Sequence, residues 1–228
     1  MAEITPSVYD FGVMAEQYEH WYETPVGKMY DRLEQAAVAE LLPSAQRGSR
    51  LLDVGCGTGH WSRFFASRGF LVIGVDIAPE MIEIARSKDD PRCRFEVGDA
   101  CRLPFPDGSF DVVTAITTLE FTRDAGAVVR EMFRCLRPAG IVLIASLNRL
   151  APVNRRRIRT GQQPYASTRL FSPSELRALV APYGRVRIRT AGFVPRVKWV
   201  ISFSPLLERA ARWMNRATGA LVVAEVQS

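Results

Sequence analysis

Residues 51–61 read LLDVGCGTGHW: a short apolar run, three glycines at alternate positions, then an aromatic residue that opens a helical pattern. The pattern is that of a β-strand passing through a glycine turn into a helix. Glycine lets the backbone take conformations closed to other residues and approach a ligand closely, and the helix that follows offers free N–H groups. Gly55, Gly57 and Gly59 therefore mark a place where something polar meets the main chain, with Cys56 as a small filler and His60 lining the turn. A nucleotide pyrophosphate is one candidate, but the dinucleotide fingerprint wants its third glycine at position 60, where this chain has histidine. That departure counts against a nicotinamide-dependent oxidoreductase.

Short β-branched runs and helical patterns alternate on either side of this turn. Strands are expected over 50–54, 70–76, 93–98, 110–116 and 140–147. Helices are expected over 59–68, closed by Gly69; over 79–88, opened by Pro79; and over 124–137, ended by Pro138 and Gly140. This order predicts a parallel sheet with helices on both faces. Asp53, Asp76 and Asp99 then fall at the ends of three successive strands, along the edge where open α/β sheets bind ligands. Asp76, 23 residues after Asp53, stands where a carboxylate can accept hydrogen bonds from the hydroxyls of a ribose.

The segments LLDVGCGTGHWS, GVDIAPEMIEIAR, FEVGDACRLPFPDGSFDVV and EMFRCLRPAGIVLIASLNR resemble successive motifs of class I S-adenosylmethionine-dependent methyltransferases, in particular the small-molecule branch that acts in ubiquinone and menaquinone biosynthesis. The resemblance covers about residues 48–148. It implies a Rossmann-like, seven-stranded, mostly parallel sheet whose last strand is antiparallel. It implies S-adenosylmethionine as cofactor, with Asp53, Gly55, Cys56, Gly57 and Gly59 at its methionine end, Asp76 on the ribose and Asp99 with the Ala100 backbone at the adenine. Ile77 and Met81 would pack on the adenosine, and Thr117 would sit near the methionine end. A sulfonium and an α-ammonium suit carboxylates and carbonyls better than a phosphate cradle. Methyl transfer is an in-line displacement that needs alignment more than a catalytic triad. Where the acceptor must lose a proton, the candidate bases are Glu120, His20 and the pair Tyr18 and Tyr22.

The first 30 residues are aromatic-rich, with Tyr9, Phe11, Tyr18, Trp21, Tyr22 and Tyr30; Ala15, Tyr18 and Tyr22 share helical spacing. They suit either a helix packed on the sheet or a lid over a pocket. Residues 31–42 predict a helix leading into the first strand. We therefore divide the chain into an N-terminal helical lid and lead-in, 1–46, and a cofactor-binding domain, 47–228. The latter carries a basic loop at 149–165 and a cap-like insertion at 192–218. Ser172-Pro173-Ser174-Glu175 is a capping box. Strands at 185–190 and 220–226, with helix at 202–215 between them, would form a late antiparallel pair.

The chain has 228 residues, 47% of them hydrophobic and 24% charged, which fits a globular protein with its own core. No apolar run reaches the ~18 residues a membrane span needs, and the start lacks a signal-peptide pattern, so a cytoplasmic location is the expectation. Four cysteines without a CxxC pair and only two histidines give no metal-site pattern. Residues 1–146 carry 15 Lys/Arg against 21 Asp/Glu, whereas 147–228 carry 15 against 3. Arg155, Arg156, Arg157 and Arg159 sit in the basic segment, and Phe193 to Trp213 mixes aromatics with cations. These features suit an anionic or apolar small-molecule acceptor or peripheral contact with a membrane; nucleic acid is disfavoured without an RNA-binding module. A monomer or homodimer is expected. The competing function is a non-catalytic cofactor-binding protein working through its basic C-terminal third.

Overall fold

The computed structural model describes residues 15–193 and 217–228. Two helices lead in, α1 (Ala15–Glu23) and α2 (Pro25–Ala39). They are followed by β1 (Arg50–Val54), α3 (His60–Ser67), β2 (Leu71–Asp76), α4 (Pro79–Ser87), β3 (Cys93–Val97), β4 (Phe110–Ile116), α5 (Ala125–Cys135) and β5 (Leu136–Leu147). The chain then forms α6 (Pro152–Arg159), α7 (Pro173–Val180), β6 (Arg185–Ala191) and β7 (Leu221–Gln227). The seven strands lie in the order β3-β2-β1-β4-β5-β7-β6, with β7 antiparallel to both its neighbours. The expected sheet, helices on both faces and late antiparallel pair are all present.

Residue alternation along each strand explains the three layers. In β1, Leu51 packs with Val38 of α2 and Phe65 of α3, while Leu52 faces Val129 and Met132 of α5. In β7, Leu221 and Val223 join the first layer and Val222, Ala224 and Val226 the second. Both faces are covered, so the strands read as continuous apolar runs. Each side chain of this size removed from water contributes about 1.5–3 kcal/mol.

The order reverses direction between β1 and β4, so the connections leaving their carboxyl ends diverge and open a crevice there.

Three local readings change. The basic segment does not stay a loop: Pro152, at the first helical turn, starts α6. The inner face of this helix is polar, with Asn154 and Arg157 buried, so it has no apolar period to read. The helix expected to reach residue 137 stops at Cys135, because Leu136 already pairs with Phe110 of β4. The lead-in helix begins at Pro25, six residues early, where the Thr24 hydroxyl accepts the Gly27 N–H at 3.0 Å. The capping box forms as read, through Ser172 and Glu175. Tyr9, Phe11, the 202–215 helix and nearly all of the 192–218 insertion lie outside the described residues. No helix among the described residues is long and apolar enough to cross a membrane, and none of their side chains cluster as a metal site.

Candidate active site

The crevice holds a cavity of about 360 Å³. Its floor is the turn after β1. Gly55 adopts φ +69°, and a Cβ there would stand 2.2 Å from Thr118 Cγ2, so only glycine lets the turns after β1 and β4 close on each other. Thr118 fastens that contact by donating its hydroxyl hydrogen towards the Val54 and Ile116 carbonyls, each at 3.1 Å. Gly57, at φ +51°, faces open space: an added Cβ would meet only Tyr18 Cε1 at 3.7 Å and Met81 Sδ at 4.0 Å.

Asp76 ends β2 and organises this turn. One carboxylate oxygen accepts the Gly57 N–H at 2.8 Å and the other the Ala78 N–H at 3.0 Å. Burial pushes its carboxyl up, and those two donors oppose the rise. Asp99, beyond β3, accepts the Cys101 N–H at 2.8 Å. Asp76, Ile77, Met81, Asp99 and Ala100 all line the cavity. Thr117 lines it too, at φ +50°, a strained conformation for a β-branched residue of the kind that gathers at functional sites.

An aromatic wall completes the cavity, its Tyr18 packing against Ala78 and Met81. Tyr18, Trp21 and Tyr22 of α1 and Tyr30 of α2 line it, together with Tyr165. The Tyr18 and Tyr22 hydroxyls are 3.0 Å apart, and the Tyr22 ring stacks on His60 with centroids 3.8 Å apart. His60 Nε2 lies 2.8 Å from Asp31 Oδ1, so the imidazole is a fixed platform for Tyr22. The Glu19 carboxylate bonds both the Thr58 hydroxyl of the glycine turn and the Lys88 ammonium, tying α1 down over the cavity.

Several expected site residues lie elsewhere. Asp53 is 1% exposed and bonded to Ser62 Oγ at 2.6 Å and Thr114 Oγ1 at 3.0 Å. It pairs within the ladders to β2 and β4, one residue short of the strand end, so its side chain turns under α3 and not into the cavity. Cys56 packs with Ile82 and Phe95, and Gly59 opposes the Phe95 ring. Among the proposed bases, Glu120 is buried and accepts from Ser146 Oγ at 3.0 Å and Leu147 N at 2.9 Å, fixing the end of β5. His20 is on the outer face of α1, 77% exposed, and meets Glu23. Burial pushes the phenols of Tyr18 and Tyr22 well up, so neither ionises near neutral pH.

Glu34, which the sequence pattern does not single out, and Arg157, expected only as one of four arginines in a basic loop, both line the cavity, at 8% and 7% exposure. Glu34 sits on the inner face of an Ala/Leu-rich helix, and Arg157 sits in a run of arginines whose other members are exposed.

Burial raises three carboxyls, Asp53 to about 6, Glu120 to about 7 and Glu34 to about 8. Each holds its proton in the folded protein after the unfolded chain has released it. Their contribution to stability is complete below the ordinary carboxyl range and is lost as pH rises through these values. Glu34→Gln should therefore be more stable than the wild type at pH 9 and no more stable at pH 5. Thermal unfolding at the two pH values measures this, with about 2–4 °C expected per kcal/mol gained. A difference that does not grow with pH would remove the assignment.

Residues 52–144 match the family model for a methyltransferase domain. The malonyl-[acyl-carrier protein] O-methyltransferase of Serratia marcescens is 35% identical over 104 residues, 46% of this chain and 40% of that protein. The 2-methyl-6-phytyl-1,4-hydroquinone methyltransferase of Synechocystis sp. is 35% identical over 147 residues, 59% of this chain and 46% of that one. The chain thus spans less than half the length of either relative. Its fold resembles the crystal structure of an SAM-dependent methyltransferase from Thermotoga maritima, described as a possible histamine N-methyltransferase. The TM-score is 0.75 with 24% identity, covering 95% of this chain and 97% of that one. Over residues 52–144, at its centre, the chain is thus similar to a methyltransferase domain.

Proposed function

We propose that this protein transfers a methyl group from S-adenosylmethionine to a small-molecule acceptor held against the aromatic wall of the cavity. The observation that carries this reading is the single continuous cavity that joins Gly55, Gly57, Asp76 and Asp99 to the aromatic wall of α1 and α2. The residues present fit the cofactor. The open space over Gly57 admits a ligand against the main chain, and the carboxylates of Asp76 and Asp99 stand on the wall of the same cavity.

Bound there, S-adenosylmethionine supplies an electrophilic methyl group on a cationic sulfur. Asp76 is the residue for the ribose hydroxyls, Asp99 and Ala100 for the adenine, and Met81 and Ile77 for the apolar faces of the nucleoside. Gly55, Gly57 and Thr117 border the methionine end. Tyr18 and Tyr22 position the acceptor and keep water out, since alignment and exclusion of water account for much of the rate of such a displacement. The homologous hydroquinone enzyme supports an acceptor with an apolar, aromatic body.

Two measurements test the reading. Calorimetry should show S-adenosylhomocysteine binding, and methyl-labelled cofactor should transfer label to a member of a panel of aromatic acids, phenols and quinols. Intact protein that binds no S-adenosylhomocysteine would refute it.

A further inference from the structure

Arg157 is a buried cation that no ion pair among the described residues neutralises. Its Nη1 donates to the Asn154 side-chain oxygen at 3.1 Å, and its Cζ lies 4.3 Å from the centre of the Tyr165 ring. Among the described residues its Nε has no hydrogen-bond partner, and no carboxylate comes within 4.0 Å of the guanidinium. A charge taken out of water without a counter-ion is costly, and arginine's fork of five donors suits a planar acidic group.

The residue is also held deliberately. Asn154 donates to the Asn148 carbonyl at 3.0 Å and the Ala220 carbonyl at 2.8 Å, which leaves its oxygen for Arg157. Backbone at the ends of β5 and β7 thus orients the guanidinium through one amide. Its neighbours Arg155, Arg156 and Arg159 are exposed and belong to the solvated face of the same helix.

We propose that the aromatic wall of the cavity borders a subsite for a planar, largely apolar acceptor bearing an acidic group, which docks on Arg157. The inference rests on the methyltransferase reading and narrows its acceptor class. The acceptor's ring lies among Tyr18, Tyr22 and Tyr165, and its carboxylate or ionised phenol supplies the missing counter-charge.

Glu34 lines the same cavity as Arg157. Around it stand Asp31 on its own helix, Glu120 beyond β4, Arg157 on α6, and Tyr18 and Tyr22 on α1. Burial first, then Asp31, hold its carboxyl up at about 8, with Arg157 opposing. At neutral pH Glu34 is protonated and Arg157 is free for a ligand. At higher pH Glu34 ionises and adds negative charge to the cavity that Arg157 lines.

The test compares 2-naphthoate with 2-naphthamide as probes, by calorimetry on the full chain with and without saturating S-adenosylhomocysteine. The acid is expected to bind about tenfold or more tighter than the amide, the size of a charge-assisted hydrogen bond. Arg157→Gln should erase that preference while leaving naphthamide and S-adenosylhomocysteine binding unchanged. Acid binding should weaken between pH 7 and 9 in the wild type, and Glu34→Gln should flatten the decline. If Arg157→Gln disturbs the fold, shown by lost S-adenosylhomocysteine binding, Arg157→Lys must weaken the acid while sparing the amide. Equal binding of the two probes, binding of neither, or a preference that survives in the variants would overturn the proposal. Naphthoate selectivity without any S-adenosylhomocysteine binding would instead overturn the methyltransferase reading and leave the anion site standing.

Discussion

Replacing Gly57 with valine should abolish S-adenosylhomocysteine binding, by about 100-fold or more, while lowering the unfolding midpoint only modestly. The asymmetry follows from where the new side chain goes. An added Cβ meets nothing closer than Tyr18 Cε1 at 3.7 Å, so the side chain enters the cavity without striking the backbone, and the space it takes is the space the ligand needs. The cost to folding is chiefly the backbone, since φ +51° is a left-handed conformation that costs a non-glycine residue roughly 1–2 kcal/mol. Gly55→Ala makes the contrast: its Cβ would stand 2.2 Å from Thr118, so that variant should lose stability first. Calorimetry and thermal unfolding of both variants separate the two effects, and retained binding in Gly57→Val would move the site elsewhere.

The second large effect belongs to Asp76. Asp76→Ala should weaken S-adenosylhomocysteine by about 1–3 kcal/mol, roughly 5- to 150-fold, through loss of charge-assisted hydrogen bonds. The same carboxylate satisfies the Gly57 and Ala78 N–H groups, so the alanine variant also leaves two donors unpaired and loosens the turn. Asp76→Asn keeps an acceptor oxygen and the side-chain shape. A smaller loss of affinity with a near-normal midpoint in that variant assigns the difference to the charge. An unchanged dissociation constant in both would end the ribose assignment.

Much of this was legible in the amino-acid sequence, for a physical reason. Buried parallel strands must be apolar throughout, and a turn that closes on its neighbour must use glycine, so the frame around residues 51–116 declares itself. Asp76, the last residue of β2, and Asp99, two residues beyond β3, line the cavity because the chain has cleared the sheet there. Asp53 lies one residue earlier, inside the ladder, where its side chain belongs to the face under α3. The acceptor end was the least legible. Glu34 lies on a helix whose pattern marks that face as apolar core, and α6 hides its inward face because that face consists of Asn154 and Arg157. Hydrophobic periodicity finds surfaces that exclude water, and a polar site buried for chemistry breaks that rule locally.

The position of β7 between β5 and β6 carries a consequence for how the molecule is made. Ile144 finds its partner Ala224 eighty residues downstream, and among the described residues β6 has no hydrogen-bonded neighbour in the sheet besides β7. A nascent chain emerging from the ribosome can assemble β1 to β5 early, but the open flank of β5 waits for synthesis to pass residue 227. Pairings that span so much sequence are slow to form. An exposed strand edge held open for that interval is the point at which premature self-association would begin, and the stage at which a chaperone would be of most use.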